Sequence, residues 1–235
     1  MAKKRNKRKD TSTDAVSLIT LVDNSSPISE QYRMIRSNIQ FASSADKPIQ
    51  TIVVTSSGLG EGKSTTAANL AIVFADYGQS VLLIDADMRK PTVYKTFQLM
   101  NTEGLSTVLS TTTSALEAIQ ETNIDNLSIL TSGPKPPYPS ELLGSERMEQ
   151  VLAEVRRHYD IIIFDMPPIV AVTDAQIMAS KVDGTILVVR ENVSRKESVI
   201  KAKDLLRMAQ ARTLGVVYNG AVQSKDQGYY EYYGN

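Results

Sequence analysis

Residues 51–68 read TIVVTSSGLGEGKSTTAA, and the fold follows from them. The first six are β-branched and apolar enough for a buried strand. Residues 57–62 hold three glycines in six positions, too many for regular structure, and from Ser64 an alanine-rich helix begins. Strand, glycine loop and helix in that order make a phosphate-binding loop. Gly58, Gly60 and Gly62 let backbone N–H groups turn toward an anion, and the helix N-terminus adds its positive end. Lys63 supplies a mobile cation and Ser64 a hydroxyl for Mg²⁺. The spacing G-x-x-x-x-G-K-[ST] is met, except that Ser57 stands in place of the first glycine. Ser57, Gly58, Leu59, Gly60, Glu61, Gly62, Lys63, Ser64 and Thr65 are the expected nucleotide contacts.

Downstream, residues 64–77 continue the helix to Gly78, and residues 81–84 form a second buried strand. It ends in Asp85-Ala86-Asp87-Met88-Arg89-Lys90-Pro91. Two carboxylates at i and i+2 beyond a strand end can both reach the crevice at the carboxyl edge of a parallel sheet, where such folds bind ligands. Residues 159–165, YDIIIFD, deliver Asp165 to the same edge in the manner of a Walker B strand, whose aspartate holds Mg²⁺. Strands are also expected at 127–130, 184–189 and 214–218, with short helices over 92–122 and a helix from Ser145 to about His158. Ser194 and Glu197 form an S-x-x-E capping box for a helix to about Gln210. Repeated βα units with buried strands predict an α/β fold with a doubly wound, mostly parallel sheet that carries the phosphate-binding loop and a Walker B strand, as in a P-loop NTPase. Residues 132–139, SGPKPPYP, cannot be helical and serve as either a spacer or a wall of the site.

Upstream, residues 1–14 carry six basic residues and almost nothing apolar, so they read as a disordered tail, either solvated or weakly tethered to an anionic leaflet. Residues 16–22 are a short apolar strand or arm. Ser26 or Ser29 caps a helix over about 28–41, in which Tyr32, Ile35 and Ile39 face the core. Glu30, Arg33 and Arg36 recur on another face as E-x-x-R-x-x-R, a solvated stripe or a subunit contact. The domain therefore spans 15–219. The tail 220–235 places Tyr229, Tyr230, Tyr232 and Tyr233 among polar residues, with no aliphatic companion after Val222. They are a sticky interaction segment or, more sharply, phosphoryl acceptors.

The 235 residues carry 26 Lys+Arg against 26 Asp+Glu, which gives no global attraction to nucleic acid or membrane. Zero cysteines exclude a disulfide scaffold, thiol catalysis and a cysteine zinc site. Apolar runs are strand-length and no signal-peptide core follows the basic start, so a cytoplasmic protein is expected. The single histidine, His158, ends a basic helix, which disfavours a Ser-His-Asp mechanism.

These stretches resemble the bacterial tyrosine kinases of the capsular and exopolysaccharide type, in the Gram-positive arrangement with kinase and membrane activator on separate chains. The resemblance runs from about residue 28 to 235. It rests on EQYRMIRSNIQF, SSGLGEGKST, VLLIDADMRKP (the Walker A′ motif), GPKPPYPSELLGS, IIIFDMPP and YYEYYG. It implies that Lys63 contacts the β- and γ-phosphates of ATP, that Ser64, Asp87 and Asp165 surround Mg²⁺, and that Asp85 is the base accepting the tyrosine proton. Asn219 would lie at the adenine. Glu30, Arg33 and Arg36 would join subunits into a ring, with the tyrosine tail of one entering the site of its neighbour. The implied partners are the cytoplasmic tail of a membrane activator, which would hold the kinase at the inner face of the membrane, a cognate tyrosine phosphatase, and protein substrates in polysaccharide synthesis. A partitioning or division-site ATPase of the same fold would carry a lysine at Gly58 and need no tyrosine tail. A nucleotide-dependent adaptor would not need Asp85. A GTPase is disfavoured because no N-K-x-D motif follows the late strands.

Overall fold

The structure, a computed structural model, describes residues 15–221; the basic residues 3–9 and the four tail tyrosines lie outside that range. The chain opens with α1 (Ile19–Val22) and α2 (Pro27–Ala42), then β1 (Thr51–Ser56), α3 (Lys63–Ala75) and β2 (Val81–Asp85). Three short helices follow, α4 (Val93–Thr96), α5 (Leu105–Ser110) and α6 (Ala115–Ala118), before β3 (Gln120–Glu121) and β4 (Leu127–Leu130). Next come α7 (Pro139–Gly144), α8 (Glu146–Val155), β5 (Ile161–Asp165) and α9 (Asp174–Ala179). β6 (Gly184–Arg190), α10 (Lys196–Met208) and β7 (Thr213–Asn219) complete the order.

The seven strands lie in the order β3-β4-β2-β5-β1-β6-β7. All neighbours are parallel except β3, which runs antiparallel to β4. Alternate side chains of each strand go to opposite faces. Val53, Leu82, Ile84, Ile162 and Phe164 join the core under α5 to α10, while Ile52, Val54, Leu83 and Ile163 join the core under α2 and α3. Burial on both faces explains why the central strands read as unbroken apolar runs. β7 is one of the two edge strands, and Val216 and Tyr218 on it are exposed.

α3 leads away from the glycine loop and is buried from Thr66 to Ala75, covered by α1 and α2. Full burial of Leu70, Ile72 and Phe74 stabilises the fold by about 1.5–3 kcal/mol each. Residues 16–22 form an arm ending in one helical turn, not a strand. Asn69 in α3 holds it: Asn69 Oδ1 accepts from Thr20 N (3.0 Å) and Thr20 Oγ1 (2.9 Å), and Asn69 Nδ2 donates to Ser17 O (2.8 Å). Ser26 is the cap of α2, accepting from Ser29 N, with Pro27 in the first turn. Tyr32 and Ile39 are buried, as expected.

One expected motif does not form. α10 starts at Lys196 with Arg195 as its uncapped N-cap, so Ser194 is one residue too early for the capping box. Its hydroxyl accepts from Arg190 N (2.7 Å) and donates to Glu61 Oε1 (2.6 Å). α8 ends at Val155, three residues short of His158, which is exposed.

Candidate active site

The carboxyl ends of β1, β2 and β5 lie side by side, and each brings one element of the site. Gly62, at the start of α3, has φ +96° and no capping side chain, which leaves the first-turn N–H groups of α3 to an anion. A Cβ there would lie 2.1 Å from Asn219 Nδ2, so both conformation and space demand glycine. Gly60 is also left-handed, at φ +74°. Leu59 at the loop tip is exposed.

Lys63, the first residue of α3, turns back toward the strand ends. Its Nζ lies 2.9 Å from Asp87 Oδ2, 3.2 Å from Asp165 Oδ1 and 3.1 Å from Ser64 Oγ. Burial disfavours the ammonium, but Asp165 and then Asp87 overcome it, so Lys63 is held protonated above its ordinary range. Asp85 is fully buried. Its Oδ2 accepts from Thr92 N (3.1 Å) and Val93 N (3.0 Å), and its Oδ1 is buried without a partner among the described residues. Burial, then the Asp165 carboxylate, pushes the Asp85 carboxyl up to about 8. Burial likewise raises Asp165, opposed by Lys63, and its Oδ2 is also unpartnered.

The site thus gathers Lys63, Ser64, Asp85, Asp87 and Asp165. Three carboxylates faced by one buried ammonium leave unsatisfied acceptor capacity, which suits a divalent cation. Among the described residues, no group of three acidic, His or Cys side chains closes around a metal by itself. That fits Mg²⁺, which is commonly held by one or two carboxylates together with phosphate oxygens and water. Ser64, Asp87 and Asp165 would hold it.

The remaining expected residues are placed as follows. Asn219 ends β7 and donates from Nδ2 to Glu61 O (3.1 Å), beside the loop. Ser57 does not open toward a ligand; Glu61 takes both its N–H (2.8 Å) and its hydroxyl (2.7 Å). Glu30 and Arg33 pair with each other at 2.6 Å on the surface of α2, where Arg33 also bonds Asn24. Arg36 turns inward, donating to Val73 O (3.1 Å) with its guanidinium 4.2 Å from the Tyr77 ring centroid.

Two supporting groups were not foreseen. Arg89 forks onto the fully buried Asp174, Nε to Oδ2 and Nη2 to Oδ1, both at 2.9 Å. Ser140 Oγ donates to Asp174 Oδ1 (2.6 Å), so the segment after Asp87, the start of α7 and the start of α9 are joined. The proline-rich loop after β4 is pinned to the start of α5. Gly104 packs against it, with Leu105 N bonded to Thr131 O (2.7 Å) and Ser106 Oγ to Pro134 O (2.7 Å).

Fold and site together define a P-loop nucleotide-binding α/β protein, and residues 49–199 match a family described as an AAA domain. The chain is 49% identical over 215 residues to the tyrosine-protein kinase YwqD of Bacillus subtilis (strain 168), covering 91% of this chain and 90% of that one. It is 44% identical over 209 residues to the putative tyrosine-protein kinase CapB of Staphylococcus aureus, covering 89% and 91%. The kinase domain of Escherichia coli tyrosine kinase ETK superposes with a TM-score of 0.84 at 29% identity, covering 97% of this chain and 86% of that one. This chain belongs to the bacterial tyrosine-protein kinases. Among the described residues, no helix is long and apolar enough to cross a membrane.

Proposed function

We propose that this kinase uses ATP and Mg²⁺ to phosphorylate the tyrosines of its own C-terminal tail and of proteins in capsular or exopolysaccharide synthesis. The observation that carries this reading is the convergence of Lys63, Ser64, Asp85, Asp87 and Asp165 beside the phosphate loop, with Asp85 Oδ1 unpartnered. Lys63 leaves its carboxylates to hold the β- and γ-phosphates. Mg²⁺, when bound by Ser64, Asp87 and Asp165, neutralises phosphate charge. Asp85 takes the phenol proton as the phenol oxygen bonds to the γ-phosphorus and the bond to ADP breaks. Asn219 borders the adenine position.

The acceptors are Tyr229, Tyr230, Tyr232 and Tyr233, presented in trans within a ring of copies. Of the three ring residues, Glu30 and Arg33 pair with each other on the surface of α2, and Arg36 donates to Val73 O of its own chain, so a ring contact would exchange these bonds for ones across the interface. The cytoplasmic tail of a membrane activator raises ATP affinity and holds the kinase at the inner face of the membrane, and a cognate phosphatase resets the tail. Each phosphate adds nearly two negative charges, so several on one tail loosen the ring by repulsion.

The test is incubation with labelled ATP and Mg²⁺, with and without the activator tail, followed by mass spectrometry of the C-terminal peptide. Phosphate on residues 229–233 that disappears in Lys63→Met supports the reading. Free phosphate with an unmodified tail would overturn it in favour of an ATPase switch.

A further inference from the structure

Glu61 puts a carboxylate in the middle of a loop that holds anions, and it is only 2% exposed. No cation pairs with it among the described residues, yet three donors do. Oε2 accepts from Ser57 N at 2.8 Å; Oε1 accepts from Ser57 Oγ at 2.7 Å and from Ser194 Oγ at 2.6 Å. Ser194 Oγ itself accepts from Arg190 N, which commits its one proton to Glu61. Gly58 gives the carboxylate room, since a Cβ there would come within 3.2 Å of Oε1. The loop backbone is gripped from the same side. Arg190 Nη1 donates to Gly60 O at 3.0 Å and Asn219 Nδ2 to Glu61 O at 3.1 Å.

We propose that Glu61 is a positioning residue of the nucleotide site, which, with Ser57 and Ser194, fixes the phosphate loop in its anion-binding shape and ties it to the ends of β6 and β7. The serine at position 57, where the motif has glycine, then has a reason: its hydroxyl adds to the backbone amide, which glycine would also supply, a second donor that holds the carboxylate. The displaced capping serine has one too, since it supplies the third. A loop held in shape beforehand loses less entropy when it binds. This inference rests on the nucleotide-binding reading.

The experiment titrates the full-length chain with a fluorescent ADP analogue and follows amide hydrogen exchange over residues 57–62 without nucleotide. Ser194→Ala should weaken binding about tenfold, the loss of one hydrogen bond to a charged group, and speed exchange in the loop. Its melting temperature should fall by no more than about 3–6 °C, and Ser194→Thr should restore most of the affinity. On a Glu61→Ala background, Ser194→Ala should cost nothing more. If that background does not fold, Glu61→Gln replaces it and should shrink the Ser194→Ala effect. Unchanged affinity and exchange in Ser194→Ala, or an undiminished effect on either Glu61 background, would overturn the proposal. A wild-type chain that binds no nucleotide would sink the function reading as well, whereas normal wild-type binding with an indifferent Ser194→Ala removes this inference alone.

Discussion

Asp85 and Asp165 are register partners, the last residues of neighbouring parallel strands, and both are fully buried. Adjacent strands lie about 4.8 Å apart, so two carboxylates meet at a distance where both ionise only with help. Lys63 gives that help to Asp165 directly, and Asp85 has two backbone N–H groups instead.

Asp85→Asn should lower tail phosphorylation at least about 100-fold while changing nucleotide affinity little, because the variant keeps its side-chain carbonyl for Thr92 and Val93. The same variant tests the raised carboxyl. A raised acid stabilises the fold below its unfolded value and that contribution is lost as pH rises toward about 8. Thermal melts of the metal-free chain from pH 5 to 8 should therefore fall more steeply for wild type than for Asp85→Asn.

Arg89→Met leaves the buried Asp174 with Ser140 alone. Removing one partner of a buried pair typically costs about 3–5 kcal/mol, and partial exposure of Arg89 places this loss toward the lower end. Urea unfolding should show it. The segment carrying Asp87 loses its anchor to α7 and α9, so ATP affinity should fall in parallel.

Asn69→Ala removes the only side chain of α3 that hydrogen-bonds the arm among the described residues. Limited proteolysis should then cut within residues 15–22 at protease levels that spare wild type. The stability loss should be about 1–3 kcal/mol, because Thr20 N–H and Thr20 Oγ1 lose their acceptor.

Asp183 accepts from Gln50 N, Thr51 N, Thr51 Oγ1 and Arg156. Burial opposes its charge, but the Arg156 hydrogen bond and the two backbone N–H groups hold the carboxyl below its usual range. A lowered acid stabilises above its unfolded value and loses that contribution as pH falls through the folded one. Wild type should lose stability below about pH 4, and Asp183→Asn should start lower and show a flatter acid limb.

How much of this was legible depended on distance along the chain. β1, β2 and β5 announced themselves because burial on both faces selects continuous apolar runs. Lys63, Ser64, Asp85, Asp87 and Asp165 were legible because each sits at a fixed offset from a strand end. α9 gave no signal, with six residues, no side-chain cap and a buried Asp174 in its first turn. Arg89 and Asp174 are 85 residues apart, Ser194 and Glu61 133, and Thr20 and Asn69 49, so no local pattern links them. Ser194 misled for a related reason: a serine three residues before a glutamate looks the same whether it faces α10 or the phosphate loop.

β7 ends beside the phosphate loop at Asn219, and the tail leaves from there. Four strand steps separate β7 from β2 in the sheet, roughly 19 Å, while the eight residue steps from 221 to 229 can stretch to about 27 Å. Leash length alone thus permits a tail to reach its own Asp85. The kinetic order of tail phosphorylation in protein concentration reports whether a tail uses its own site or a neighbour's.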